Sequence, residues 1–223
     1  MKKIIFLASA LTAFSFVSKA QFTKGEVELG LGLSVSNSHS YNPTSSNSSS
    51  SFNTFNAALV PDISYFVSDK WVIGTGLIFS LSQAKGTDVS GSNSTSSSDN
   101  INSIGIAPFV RRYYKMGDKV AVFAQMGFSL AFGGGTRVYS NSSTATSTST
   151  ELYKTTDFGL GFAPGINYAL SERWILEAST NFFSLDFTTK KYPDGSPNST
   201  SSNLNFTSLP NSIMFGIKVI LHK

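Results

Sequence analysis

Tyr65–Gly76 reads YFVSDKWVIGTG, and the pattern returns at Tyr168 as YALSERWILEAS. In both copies an alternating run meets a short polar turn, Ser68-Asp69-Lys70 or Ser171-Glu172-Arg173, and a tryptophan, Trp71 or Trp174, opens the next alternating run. Alternation with period two marks a strand whose two faces meet different surroundings, so each copy predicts a β-hairpin with a wet turn and an aromatic collar. A third copy, YYKMGDKVAVFA from Tyr113, keeps the polar turn and lacks the tryptophan. Three such hairpins, separated by long Ser/Thr/Asn stretches, predict an all-β fold: an eight-stranded antiparallel up-and-down transmembrane β-barrel.

Working outward, the same alternation recurs along the chain. Val27, Leu29, Leu31, Leu33 and Val35 share one face of a strand over residues 25–36, opposite Glu28, Gly30, Gly32 and Ser34. The following strands set Phe55, Leu59 and Ile63 against Asn56, Asp62 and Ser64, then Trp71, Ile73 and Leu77 against Gly74, Gly76 and Ser80. Over residues 103–114, Ile104, Ile106 and Val110 oppose Gly105, Phe109 and Arg111, and Val122, Met126 and Phe128 oppose Gln125, Gly127 and Ser129. The last three runs set Phe158, Leu160 and Ile166 against Asp157, Gly159 and Asn167, Trp174 and Leu176 against Glu177 and Ser179, and Ile213, Phe215 and Ile217 against Gly216 and Lys218. The seventh run slips at Phe182-Phe183, which predicts a bulge. Pro61, Pro108 and Pro164 fall mid-strand, where the missing N–H predicts bulges or ladder breaks.

The connections alternate in kind. Those after the second, fourth and sixth strands are tight and charged. The others, over residues 37–51, 84–100, 134–154 and 190–203, are long and rich in Ser, Thr and Asn, a composition that predicts mobile loops. Short turns at one rim and long loops at the other are the asymmetry of a barrel in an outer membrane.

A soluble barrel needs its bulky apolar residues inside. Here the face opposite the Val/Leu/Ile/Phe bands carries Gly, Ser, Ala, Asn and a few charges, which can line a narrow polar lumen while the apolar bands meet lipid. Tyr65, Trp71, Tyr114, Tyr168 and Trp174 gather near the tight turns and predict a periplasmic-side aromatic girdle, with Phe55, Phe79, Phe132, Phe158 and Phe182 nearer the long loops.

The start of the chain has a different character. Lys2 and Lys3 precede a mostly apolar run from Ile4 to Val17 and the triplet Ser18-Lys19-Ala20, which predicts a secretory signal over residues 1–20, cleaved after Ala20, and a barrel over 21–223. The apolar run is shorter than the roughly 18 residues of a membrane-spanning helix. Lys2, Lys3 and Lys19 are three of the 17 basic residues, so the remainder carries 14 against 13 acidic ones and no basic stripe for nucleic acid. The chain has no cysteine, which excludes a disulfide framework and thiolate metal sites.

These features resemble the small outer-membrane β-barrel family of Bacteroidota-type bacteria, related in architecture to the eight-stranded outer-membrane protein A and X barrels. The hairpin repeats carry the resemblance, together with SIGIAPFVRRYY from Ser103 to Tyr114 and the final SIMFGIKVIL. That last segment is similar to the signal read by barrel-assembly machinery, which implies this machinery and outer-membrane lipid as partners.

Charged residues on the small-residue face are Glu28, Asp62, Arg111, Asp157, Glu177 and Lys218. Charges in a narrow lumen must find partners, so these six predict a structural polar network, with Glu177 paired to Lys218 or Arg111. No catalytic, cofactor or metal set stands out. His39 sits in the polar tract SNSHSYN and reads as a solvated residue, and Asp194-Gly195 reads as an ordinary turn. The sequence therefore predicts a non-enzymatic barrel with an envelope-structural or surface-interaction role. The alternatives are a narrow diffusion pore, or a surface adhesin or receptor whose extracellular ligand no residue cluster specifies.

Overall fold

The computed structural model describes residues 22–45, 48–90, 93–141, 146–206 and 213–221, so the expected signal over 1–20 lies outside the described residues. The strand segments are β1 (Val27–Ser45), β2 (Ser48–Phe66), β3 (Trp71–Ser90), β4 (Asn93–Lys115), β5 (Val120–Asn141), β6 (Thr146–Ala169), β7 (Trp174–Thr180), β8 (Phe183–Lys191), β9 (Ser199–Phe206) and β10 (Ile213–Leu221). All pairings are antiparallel, and the ring closes where β1 meets β10, from Val27↔Leu221 to Ser34↔Met214. β7 and β8 both follow β6 and form one strand in two pieces, as do β9 and β10, so the ring has eight strands.

The hairpin that organises the sequence is also the unit that repeats in space. Val67 N–H donates to Trp71 O at 3.0 Å and Ser68 Oγ accepts from Trp71 N–H at 3.1 Å. In the second copy Leu170 N–H donates to Trp174 O at 2.9 Å and Ser171 Oγ accepts from Trp174 N–H at 3.1 Å. The serine hydroxyl mimics a backbone acceptor and closes the turn, the reason both copies begin with Ser.

Face assignment follows the alternation. Leu29, Leu31, Leu33 and Val35 are exposed on the outside of β1, whereas Glu28 is fully buried inside it. The bands on the other strands do the same, including Ile104, Met126, Phe128, Leu160 and Phe215. An outward apolar wall around a polar interior is stable in lipid and not in water.

The three prolines each sit where one ladder is interrupted. Between β2 and β3 the pairs run from Leu59↔Phe79 to Asp62↔Gly76 and skip Pro61 without changing register. Between β4 and β5 they run from Ile106↔Leu130 to Phe109↔Gly127 and skip Pro108 in the same way. On their other sides Pro61 pairs with Leu31 and Pro108 with Thr75. Pro164 pairs with Ala124, and its other neighbour is the bulge. There Phe162↔Phe183 and Gly165↔Ser179 show one extra residue on the β7–β8 strand, and Phe182 N–H donates to Phe162 O at 3.0 Å. The extra residue flips the face pattern, so Phe187 points outward while Ser184 is buried inward.

The long connections differ from the mobile loops that composition predicts. The pairing of β1 with β2 continues to Ser45↔Ser48, that of β3 with β4 to Ser90↔Asn93, and that of β5 with β6 to Asn141↔Thr146. Only the fourth connection contains an irregular stretch among its described residues, over 192–198. The physical reason is that each new pair extends an existing ladder, in unbroken register between β3 and β4 and with one shift, at Pro43/Ser45 or at Gly135/Thr136, in the other two. No new loop is closed, and cross-strand Ser, Thr and Asn pairs suit a strand. Ser36 Oγ accepts from Asn56 at 3.3 Å, Gln83 donates to Asn100 at 2.8 Å, and Arg137 grips Asp99 through two bonds of 2.6 Å. β4 and β6, of 23 and 24 residues, exceed the roughly 9–11 that cross a bilayer, so these hairpins stand well beyond it.

Candidate functional site

Five of the six predicted lumen charges come together near the tight-turn end. Lys218, on β10, donates to Glu28 Oε1 at 2.8 Å and to Asp62 Oδ1 at 3.0 Å, and lies 3.7 Å from Glu177 Oε2. Arg111, on β4, donates to Glu177 Oε2 and Oε1 at 2.5 and 3.0 Å and to Gln125 Oε1 at 2.9 Å. Glu28 completes its shell with the Ser64 hydroxyl at 3.2 Å and the Tyr113 hydroxyl at 3.4 Å. Every charge in this group therefore has an opposite partner, the condition under which ions persist away from water. Gly30 makes room for it, since a Cβ there would strike the Asp62 carboxylate.

Asp157 does not join them. It lies ten positions along β6 from Asn167, which packs by Glu177, and at a strand rise of about 3.3 Å per residue that is far up the lumen. Its partner is the cross-strand Thr188, whose hydroxyl donates at 2.6 Å. Parity placed Asp157 on the correct face but carries no information about height, and height is what separates it from the network.

Beneath the charges the lumen is filled by rings. Phe22 stacks on Tyr113 at 4.4 Å between centroids and on Phe66 at 5.3 Å, and Phe123 meets Tyr113 edge-on at 5.8 Å. Phe22, Phe66, Val72, Tyr113, Phe123, Ile175 and Ile220 form one buried cluster. The N-terminal segment is pinned there by Gly25 N–H to Phe66 O at 2.9 Å and Lys24 N–H to Asp69 Oδ1 at 3.0 Å. Arg111 lies 4.0 Å from the Phe123 ring centroid, so one guanidinium joins the aromatic layer to the charged one.

The sequence reading missed Tyr113, Gln125, Asn167 and Phe22. The first three share inward parity with named charges, which was a usable signal. Phe22 precedes the first strand and no periodicity points to it.

Above the network, cavities of about 240 and 290 Å³ share Ala107, Phe109, Gln125 and Met214 in their walls. Their lining is mainly small residues with Phe109 and Met214, and the floor of the lower one is Asp62, Arg111, Glu177 and Lys218. Among the described residues no group of three His, Asp or Glu could hold a metal ion. His39 is exposed on β1 opposite Asn53, away from the lumen charges.

The residues of the aromatic girdle stand outside the tight-turn rim. Tyr65, Trp71, Tyr114 and Trp174 are exposed there and Tyr168 is half-buried. At the other rim Arg137 is held protonated beyond its ordinary range, first by its hydrogen bond to Asp99. Asp194 titrates below the usual carboxylate range because it accepts the Ser196 N–H at 3.0 Å, and Gly195 between them takes φ of 80°.

Residues 6–208 match the outer membrane protein beta-barrel domain family. Among solved structures, the chain is similar to the outer membrane protein OprG from Pseudomonas aeruginosa, with 12% identity and a TM-score of 0.51 over 92% of this chain and 100% of that one. Ail, the attachment invasion locus protein of Yersinia pestis, matches at 13% identity and a TM-score of 0.34 over 89% of this chain and 100% of Ail. At such identities the likeness to OprG speaks for the fold alone. No curated protein matches the chain. The family match, the closed ring of eight strands and the apolar outer wall together lead to one statement: the chain belongs to the outer membrane protein β-barrel domain family, and its place is the bacterial outer membrane.

Proposed function

We propose that this protein is a non-enzymatic, sealed barrel that anchors three stiff hairpins at the cell surface and acts through them in surface interaction. The observation that carries the reading is the combination of a lumen filled at its periplasmic end with strands that continue far past the bilayer. A diffusion pore needs a continuous aqueous path, and here the Phe22–Tyr113 stack and the five-charge network lie across it. The assembly machinery is the partner for insertion in this account, with β10 as the segment it reads.

The test is to shorten each hairpin at paired positions, for example by removing 86–97 and joining the ends with Asn-Gly, since Gly86 pairs with Ser97. Cells carrying the intact and shortened barrels at equal surface level are compared for attachment to host cells, abiotic surfaces and phage. Loss of one attachment phenotype with a shortened hairpin supports the surface role. Unchanged attachment for all three shortened forms rejects it and leaves an envelope-structural role.

A further inference from the structure

The four arginines have different surroundings. Arg111 faces Glu177 in the lumen, Arg137 faces Asp99 on a hairpin, and Arg173 sits exposed in a turn. Arg112 is on the outer wall, between the inward Arg111 and Tyr113, in the ladder position paired with Trp71. Its guanidinium carbon lies 5.3 Å from the Trp71 ring centroid and 5.0 Å from that of Tyr114. Its Nε is buried without an acceptor, and among the described residues no carboxylate lies within ion-pair distance of it. The rings therefore fix the cation's position and leave its charge uncompensated by protein.

Arginine remains charged at any pH a cell meets, so it cannot escape by losing its proton. At the depth of an aromatic girdle the available anion is the lipid phosphate, whose oxygens match the guanidinium fork. A shallow groove of about 380 Å³ runs along the outer wall beside it, lined by Val27, Ile63, Tyr65, Ile73 and Thr75. Ile73 is two residues along β3 from Trp71 on the same face, so the groove, which spans β1 to β3, begins one side chain away from the Trp71 that holds the guanidinium. At the same rim Lys70 is exposed, while the neighbouring Asp69 is engaged by the Lys24 N–H.

We propose that Arg112, clasped by Trp71 and Tyr114, binds the phosphate of an anionic glycerophospholipid of the periplasmic leaflet, with an acyl chain lying in the adjoining groove. This goes beyond the surface role of the hairpins and stands or falls separately from it, because it needs only the barrel's place in the membrane. The phosphate bond is to the two terminal guanidinium nitrogens, and the rings set their direction.

The test is native mass spectrometry of the purified full-length barrel titrated with phosphatidylglycerol, with phosphatidylcholine of the same chains, and with inorganic phosphate. The wild type retains one phosphatidylglycerol in preference to phosphatidylcholine. Arg112→Gln lowers that retention roughly tenfold, the scale of one charge-assisted hydrogen bond lost, and Arg173→Gln leaves it unchanged. Equal retention by Arg112→Gln and wild type overturns the proposal, as does release of the lipid by millimolar inorganic phosphate. Should Arg112→Gln fail to fold, the wild type decides alone: no preference between the two lipids also overturns it.

Discussion

Arg111 holds Glu177 across the lumen through both terminal nitrogens, at 2.5 and 3.0 Å, and Lys218 stands 3.7 Å from the same carboxylate. Glu177 thus serves two cations at once. Glu177→Ala leaves both with an incomplete shell inside the barrel, and a broken buried pair costs about 3–5 kcal/mol. Urea unfolding in lipid vesicles, followed by the fluorescence of Trp71 and Trp174, is the measurement. Arg137→Ala removes an exposed pair, its arginine side chain 49% accessible, and shifts the same curve by no more than about 1 kcal/mol.

Much of this was legible in the sequence, for reasons that particular residues make plain. Leu29, Leu31 and Leu33 alternate with Glu28, Gly30 and Gly32, and period two in a closed ring fixes inside and outside with no further information. Ser68 and Ser171 announce the tight turns because their hydroxyls close them. Alternation alone does not carry height along the barrel; position between turn and loop does, since Asp157 is next to Phe158 at the long-loop end and Glu177 is close to the Ser171-Glu172-Arg173 turn. Low-complexity composition also does not say whether a segment has a ladder to join. The stretch 84–100 looks unstructured alone and is a strand pair because Ile78 and Gly105, further down, already hold its register.

The bulge opposite Pro164 supplies a second prediction. Deleting Phe182 removes the extra residue and leaves Thr180 and Asn181 facing Pro164 and Ala163, so the ladders on either side join in one register and Leu185 and Phe187 stay outside while Ser184 and Asp186 stay inside. The deletion variant is expected to keep the mobility shift between unboiled and boiled samples on gels, as is Pro164→Val, which restores only an N–H. Loss of the shift on deleting Phe182 would contradict a bulge of one residue.

The hairpins give a third. Amides of 84–88 and 95–99 are expected to exchange with deuterium far more slowly than those of 192–198, because the former are in the β3–β4 ladder and the latter are in none. Surface proteolysis of whole cells is expected to cut first within 192–198. Fast exchange throughout 84–99 would restore the mobile-loop reading.

The turn at Asp194 titrates in a defined direction. Its carboxylate is depressed below the ordinary value by the Ser196 N–H, so this bond is fully formed above the ordinary aspartate pKa and is lost as pH falls through the depressed one. Carbon-13 NMR of the Asp194 side chain against pH is the check. A midpoint at or above that of an aspartate in a free peptide would show that the turn is not formed.

The central claim is that nothing passes through this barrel, and single-channel recording in planar bilayers tests it most directly. The account predicts no discrete conductance from the wild-type protein. Phe22→Ala combined with Glu177→Ala, which opens both the aromatic and the charged layer, is expected to produce steps. Reproducible steps from the wild type that change in size when Glu177 is neutralised would contradict the account and make the network the wall of a pore.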